Sequence, residues 1–169
     1  MSSSFIEDAS YDIRFSTTNE EPLVKKWLLD ESTRLWYPPS SEADVEAFVR
    51  NWVGFSRHKS SLTATYNGQA IGMGTLFLMP YIKVAHLCMF YMVVAPEYQR
   101  KGVGGSLLRN LKHLAKTRFR LESMHCEVFD GAPIIGLLEK NAFEEVVKQE
   151  HFVKFPDQFK ARIIFETQL

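Results

Sequence analysis

The spacing of apolar residues predicts seven β-strands along the chain. Residues 11–16 alternate between apolar and polar side chains, which is the two-residue period of a half-buried strand. The pair Asn67-Gly68 separates two strand-like segments and is a strong signal for the turn of a β-hairpin. The predicted strands are residues 11–16, 61–66, 69–79, 85–94, 121–129, 143–155 and 159–167.

Four other segments have apolar residues at helical spacing. In the clearest of them, Leu107, Leu111 and Leu114 lie on one stripe, with charged side chains on the opposite face. Paired prolines exclude a helix from the loop 34–41. The predicted helices are residues 20–32, 42–56, 103–118 and 132–141.

The order of these elements predicts the fold. The strand 85–94 is an almost uninterrupted apolar run, typical of a strand inside a sheet. A helix separates it from the strand 121–129, so these two strands should be parallel and joined by a right-handed crossover. The order β-α-α-β-β-β-α-β-α-β-β predicts one α/β domain over residues 11–169, with a mixed central sheet of about seven strands flanked by helices. Residues 1–10 are predicted to be a flexible polar leader.

Composition narrows the function classes. The 169 residues include 20 basic and 20 acidic ones, so the formal net charge of zero lacks the electrostatic signature of a nucleic-acid binder. No apolar run approaches the roughly 20 residues of a membrane span, and the first residues do not resemble a signal peptide. Cys88 and Cys126 both fall in predicted strands. We therefore expect a reduced, cytoplasmic protein without nucleic-acid or membrane partners.

The segment that joins the strand 85–94 to the following helix suits an anion. Gly102, Gly104 and Gly105 fall within four positions at the start of that helix. The N–H groups in the first turn of a helix have no internal partner, and the helix dipole adds positive charge there. Glycines let a phosphate approach the backbone. The sequence therefore predicts a site for a diphosphate-bearing cofactor at residues 100–106.

Three other interpretations of these glycines are weaker. A P-loop needs the pattern G-x-x-x-x-G-K-[ST], which the sequence lacks. A dinucleotide-binding fingerprint needs a third glycine where Leu107 stands. A purely structural turn does not account for Arg100 and Lys101 beside three glycines at the start of a helix.

Residues 94–108 read V-A-P-E-Y-Q-R-K-G-V-G-G-S-L-L and contain a further pattern. This segment closely resembles the acyl-CoA-binding motif of the GNAT superfamily of N-acetyltransferases, V-x-P-x-(Y/H)-[QR]-x-x-G-x-[GA] followed by a leucine-rich helix. Residues 127–143 look like the family's second signature, a strand that leads into a small helix of the form (L/Y)-E-K-x-G-F. The element order from Tyr11 onward also matches the family.

The resemblance implies acetyl-CoA as co-substrate, with no metal. In the family, the strand before the glycine-rich loop carries a β-bulge and splays from its parallel neighbour, and the pantetheine arm of CoA enters the gap. By this similarity, a backbone N–H of that strand would stabilise the oxyanion. The residues implied in cofactor binding are Met92, Val93, Val94, Gln99, Arg100, Lys101, Gly102, Val103, Gly104, Gly105 and Ser106.

Glu127 is the catalytic candidate that the resemblance provides. It aligns with the glutamate that ribosomal-protein N-terminal acetyltransferases use as a base, and a structural carboxylate at a strand end is an equal alternative. A base is needed because a lysine-like ammonium has a pKa of about 10.4. Phe90 stands where histone-acetylating members carry a basic glutamate, and Leu138 stands where many members carry an acidic tyrosine. The acid that protonates the CoA thiolate is therefore unassigned.

The resemblance implies transfer to a primary amine, on a small molecule, a polyamine, an aminoglycoside, or a protein or peptide. Trp36 and Tyr37 are predicted either to form an aromatic wall of the acceptor site or to cover the core. His151 is a weaker candidate for the acceptor site. The alternative function is a catalytically weak or inactive acyl-CoA-binding or sensing domain, and a longer acyl donor is a third hypothesis. The sequence does not set the oligomeric state, and a homodimer is one hypothesis because dimers are common in the family.

Overall fold

The computed structural model describes residues 9–169, so most of the predicted leader lies outside the described residues. The strands are β1 (Tyr11–Phe15), β2 (Ser61–Tyr66), β3 (Gln69–Leu78), β4 (Leu87–Val94), β5 (Ser123–Phe129), β6 (Glu144–Lys154) and β7 (Phe159–Gln168). The helices are α1 (Glu21–Leu29), α2 (Glu31–Arg34), α3 (Glu42–Gly54), α4 (Val103–Thr117) and α5 (Ile135–Lys140). Every predicted strand is present.

The strands form one mixed sheet in the order β1-β2-β3-β4-β5-β7-β6. β4 and β5 are parallel, and the other neighbouring pairs are antiparallel. The parallel pair is joined through α4, as the crossover argument requires. The predicted α/β fold with a seven-stranded mixed sheet is therefore confirmed.

The prediction of one continuous helix over residues 20–32 is wrong. The backbone leaves helical geometry at Asp30, where ψ is 124°, so α1 ends and α2 forms a separate single turn. The Asp30 carboxylate accepts a hydrogen bond from the Thr33 backbone N–H at 3.2 Å and caps α2. The loop that follows α2 then reaches the sheet, where the Tyr37 hydroxyl bonds to β4.

Helices cover both faces of the sheet. α4 and α5 pack on one face, in a core that includes Phe90, Leu107 and Leu111. α1 and α3 pack on the other face around Trp52, whose indole N–H donates to the Thr75 hydroxyl at 2.7 Å. β4 is therefore covered on both faces. No helix among residues 9–169 is long and apolar enough to cross a membrane.

β4 and β5 separate toward their carboxyl ends. Their parallel pairing runs only from Leu87 to Met89 on β4, opposite residues 123–125 of β5. Beyond this point residues 90–94 and 126–129 border a gap, so the predicted splay is confirmed. The bulge expected in β4 is wrong, because β4 pairs with β3 from Cys88 to Val94 without a register shift. β5 likewise pairs with β7 from Ser123 to Phe129 without a register shift, so the two strands separate while each keeps its other partner.

Gly74 on β3 makes room for α4, and we expect its replacement to destabilise the fold. A Cβ at Gly74 would lie 2.5 Å from Cδ1 of the buried Leu111. Gly74→Val should therefore lower the free energy of unfolding by about 1–3 kcal/mol, measured by urea titration. Gly54→Ala is the control, because nothing lies within 4 Å of the Cβ position at this helical glycine. An equal loss in both variants would contradict this packing argument.

Candidate active site

A cleft of about 540 Å³ opens where β4 and β5 separate. It is bordered by the splayed ends of both strands, the first turn of α4, α5, and the segment that contains α2 and Trp36. The predicted site residues on its wall are Met92, Val93, Val94, Gln99, Arg100, Gly102, Gly104, Gly105 and Glu127. The structure therefore brings the glycine-rich loop and the catalytic candidate to one cavity, although they are distant in sequence.

The N-terminus of α4 opens onto this cleft. Gly102 is the N-cap, with a φ of 89° that glycine adopts without strain, and it offers no side chain to cap the helix. The first-turn N–H groups are thus left for a ligand, and the helix dipole favours an anion. A Cβ at Gly104 would lie 3.4 Å from Leu137 across the cleft, so glycine keeps this end open. These features fit the diphosphate of CoA.

Two cationic side chains, Arg100 and Lys140, lie on the wall of the cleft near this helix end. They add positive charge beside the α4 N-terminus. Gln99 instead turns back toward the sheet, where its Nε2 donates to the Val94 carbonyl at 3.1 Å. Gln99 therefore fixes the turn after β4, a structural role that the sequence did not indicate.

Three predicted cofactor residues do not line the cleft. Val103 is buried in the core under α4, and the Lys101 ammonium lies 5.5 Å from the ring centroid of Tyr98. Ser106 is buried next to Tyr11; burial raises the pKa of the Tyr11 phenol, and the Ser106 hydroxyl opposes this shift. Roles of these residues in cofactor binding remain predictions.

Tyr37 connects the loop after α2 to the splayed part of β4. Its hydroxyl donates to the carbonyl of Met92, which lies beyond the last β4–β5 pair. Burial is the main reason that the pKa of the Tyr37 phenol is raised, so the hydroxyl stays protonated and remains a donor. Tyr37 is thus part of the cleft wall and holds the strand segment that is predicted to bind pantetheine.

Glu127 lies on β5 where the cleft meets β7. Its neighbours along β5 face the core under α4, so alternation directs Glu127 to the opposite face of the sheet, which it shares with Tyr91. Both carboxylate oxygens accept hydrogen bonds from Nη1 of Arg162 at 3.3 Å. Nη2 of Arg162 donates to Gln149 at 2.8 Å. Glu127 is therefore held from β7 and still reaches the cavity, with 31% of its side chain exposed.

A smaller chamber of about 220 Å³ adjoins the cleft on the side of β6 and β7. Trp36, Tyr91 and Glu127 line both spaces, so the two meet at these side chains. The remaining wall of this chamber is formed by Pro38, Phe129, Phe152, Val153, Lys154 and Arg162. A molecule in the cleft and a second molecule in the chamber would therefore both lie against these three side chains.

Tyr91 is a functional candidate that the sequence analysis did not assign. Its ring packs with that of Phe48, at a centroid distance of 5.6 Å, and with those of neighbouring aromatic residues. Burial raises the pKa of the Tyr91 phenol, Cys126 and Glu127 raise it further, and Arg162 opposes them. The phenol therefore stays protonated at neutral pH and is a hydrogen-bond donor at the junction. In the sequence, only the alternation of side chains along β4 indicated which face of the sheet Tyr91 lies on.

Other residues considered from the sequence lie outside the site. His151 is exposed, and its ring packs on Phe159 at 5.5 Å. Leu138 is fully buried, which confirms its prediction as helix packing. Cys88 and Cys126 are free thiols, and burial raises the pKa of Cys88 to about 12. Within the described range 9–169, no group of three or more His, Cys, Asp or Glu side chains could hold a metal ion.

The chain belongs to the acetyltransferase (GNAT) family, whose model matches residues 23–143. This range includes the glycine-rich loop, α4, β5 and the small helix α5. The resemblance inferred from the motif is therefore confirmed. No curated protein sequence matches the chain.

Solved structures share this fold. One is yncA from Salmonella typhimurium, determined with its cofactor acetyl-CoA, with 16% identity, a TM-score of 0.75 and coverage of 95% of this chain and 94% of that one. Ribosomal-protein-alanine N-acetyltransferase from Brucella melitensis has 18% identity and a TM-score of 0.74, with coverage of 94% and 99%. An N-acetyltransferase from Staphylococcus aureus Mu50 has 16% identity and a TM-score of 0.77, with coverage of 95% and 99%. Family and fold together support the prediction of acetyl-CoA as co-substrate.

Proposed function

We propose that this protein transfers the acetyl group of acetyl-CoA directly to a primary amine. The observation that carries the proposal is the junction at Trp36, Tyr91 and Glu127, where a cleft with an anion-binding helix end meets a separate chamber. The family assignment and the acetyl-CoA bound by the Salmonella relative support the donor. A cytoplasmic location and a homodimer remain predictions.

The cleft would hold the cofactor through backbone groups. First-turn N–H groups at Gly102, Gly104 and Gly105 would bind the diphosphate, and the backbone of residues 92–94 would bind the reactive arm. Bound acetyl-CoA supplies a thioester whose C–S bond breaks as the new C–N bond forms, with the electron pair leaving on sulfur. The amine loses one proton and the sulfur gains one, so the protein has two proton movements to assist.

Two side chains at the junction are placed to assist these movements. The Glu127 carboxylate accepts the proton that the attacking amine loses, directly or through a water molecule. The Tyr91 phenol, kept protonated by its buried position, donates a hydrogen bond to the negative charge that develops in the reaction. Arg162 keeps the Glu127 carboxylate in place.

The second candidate function is a non-catalytic acyl-CoA-binding or sensing domain. Phe90 and Leu138, which replace acid–base residues of some relatives, are both fully buried in the core. Under this candidate, the Glu127 carboxylate is only the structural partner of Arg162.

Release of the CoA thiol across a panel of amines, peptides and aminoglycosides tests the proposed function. We expect release that depends on an amine, together with an equal amount of acetylated product by mass spectrometry. Binding of CoA without amine-dependent release across the whole panel would favour the sensing domain. Mass spectrometry of CoA species that co-purify with the protein distinguishes an acetyl donor from a longer acyl donor.

A further inference from the structure

We propose that the chamber beside Glu127 takes a small amino acid, a molecule with a primary amine and a carboxylate on one short carbon frame. The inference rests on the proposed function, because it names the acceptor of the same reaction. It depends on the size of the chamber, on the charges of its wall and on a buried donor of Arg162 that has no partner in the described part of the chain.

The size of the chamber limits the acceptor. A volume of about 220 Å³ equals that of about seven water molecules at roughly 30 Å³ each. It lies below the range of roughly 300–1,000 Å³ that is usual for pockets that hold drug-sized ligands. An amino acid fits within this volume, whereas most of an aminoglycoside would lie outside the chamber.

The charges of the chamber wall favour an anionic group on the acceptor. Lys154 and Arg162 are the cationic residues of the wall, and Glu127 is its one carboxylate. Because Glu127 is already paired with Arg162, the charge that remains is the ammonium of Lys154. Lys154 has no carboxylate oxygen within 4.0 Å among residues 9–169. This excess of positive charge disfavours a polyamine and attracts a carboxylate.

A second lysine extends this positive surface at the edge of the chamber. The Lys160 ammonium lies 4.6 Å from the ring centroid of Trp36, one of the three residues at the junction. It is also without a carboxylate partner in the described part of the chain. The approach to the junction is therefore cationic as well.

Arg162 carries a donor that no group among residues 9–169 satisfies. Its Nη1 and Nη2 bond to Glu127 and Gln149, and its guanidinium lies 4.1 Å from the ring centroid of Phe152. The Nε atom is buried and has no hydrogen-bond partner within residues 9–169. A buried donor without a partner is costly, and because Arg162 lines the chamber, a carboxylate oxygen of the acceptor is assigned as the partner of Nε.

The same cationic surroundings favour the reactive form of the acceptor. Positive charges near an amine disfavour its protonated form and so raise the fraction that is neutral and nucleophilic. Phe129 and Phe152 make part of the chamber wall apolar, which suits an acceptor with a hydrocarbon side chain. A leucine or phenylalanine frame therefore matches the chamber in both its polar and its apolar parts.

Matched pairs of acceptors test this inference. We would compare leucine with 3-methylbutylamine and phenylalanine with 2-phenylethylamine, since each pair differs only by the carboxylate, and include spermidine. We expect kcat/KM for CoA-thiol release to be at least about tenfold higher for each amino acid. Lys154→Ala should reduce this ratio to about threefold or less. Lys148→Ala on the same strand is the control, because its ammonium pairs with Asp130 and Glu150 and does not line the chamber.

Binding of the reaction products separates this inference from the proposed function. Calorimetry would compare N-acetyl-leucine with N-(3-methylbutyl)acetamide, in wild type and in Lys154→Ala, with no chemistry required. Tighter binding of N-acetyl-leucine that depends on Lys154 supports the inference even if no acceptor is turned over, a result that would contradict the proposed function alone. Equal binding of the two products, or preferred turnover of the plain amines or spermidine, would overturn the inference.

Discussion

Glu127→Gln is expected to lower kcat/KM for acetyl transfer by about 10²–10⁴-fold, the range that a positioned acid or base contributes. The substitution keeps the shape of the side chain and one oxygen that can accept the hydrogen bond from Arg162. It removes the ability to take a proton from the amine at the junction of the two spaces. Steady-state kinetics with saturating acetyl-CoA would measure the loss, and CoA affinity should stay within about threefold of wild type.

The pH profile of this variant distinguishes a catalytic base from a structural carboxylate. Loss of a base makes the rate depend on the small fraction of neutral amine, so the activity of Glu127→Gln should rise steeply with pH up to the pKa of the acceptor amine. Glu166→Gln is the matched control, since Glu166 lies on β7 and lines neither the cleft nor the chamber. Unchanged kinetics in Glu127→Gln, with only a lower free energy of unfolding, would assign it a structural role.

The activity of the wild-type enzyme should not fall through ionisation of the Tyr91 phenol at any pH up to about 10. Burial raises the pKa of this phenol above its ordinary value of 10.0, so the donating form persists below that pH. The group loses its proton only as the pH rises beyond this range.

The anion-binding end of the cleft could be predicted from the sequence because the segments that form it are contiguous. Strand, turn, glycines and helix follow one another over residues 90–108, and each has a local signal. The hairpin at Asn67-Gly68 and the order of the elements could be predicted from the sequence for the same reason. The break at Asp30 also had a local signal, since Asp30 stands three residues before Thr33, whose N–H it caps.

The chamber could not be predicted in this way, because its residues come together only through strand register and loop position. Arg162 reaches Glu127 because β5 and β7 pair with Phe129 opposite Arg162, which places the two charged residues diagonally across the strands. Tyr91 reaches the same point from β4, and Trp36 from a loop far away in sequence. No spacing of residue types in the sequence indicates that these side chains lie together.

Two side chains that the resemblance implied in cofactor binding have directions that the sequence alone did not indicate, and their roles in binding remain predictions. Ser106, which was expected to bind the diphosphate, is buried next to Tyr11 and does not line the cleft. A helical residue four positions beyond the N-cap has turned past the ligand side. Gln99, which was also expected to contact the cofactor, lies on the cleft wall, and its amide donates to the Val94 carbonyl beyond the last β4–β5 pair.

Gly104→Val should weaken CoA binding by at least about 100-fold, whereas Arg100→Ala should weaken it by about two- to fivefold. A valine side chain at Gly104 would fill the space between α4 and Leu137 and prevent close approach of a phosphate to the first-turn N–H groups. Hydrogen bonds to a charged group contribute about 1.5–3 kcal/mol each. The loss of two such bonds would therefore raise the Kd for CoA by more than about 100-fold. Arg100 is exposed, and exposed ion pairs contribute only about 0.2–1 kcal/mol.

Calorimetric titration with CoA would measure both affinities, and urea unfolding would verify that each variant is folded. Gly104→Ala provides a graded control, because a Cβ there lies 3.4 Å from Leu137, an ordinary contact that leaves part of the space open. Its loss should fall between those of the other two variants. Equal losses for Gly104→Val and Arg100→Ala would contradict recognition through the backbone and would assign the diphosphate to side-chain charge. The ranking of the three variants therefore decides whether the helix end or the arginine carries the affinity.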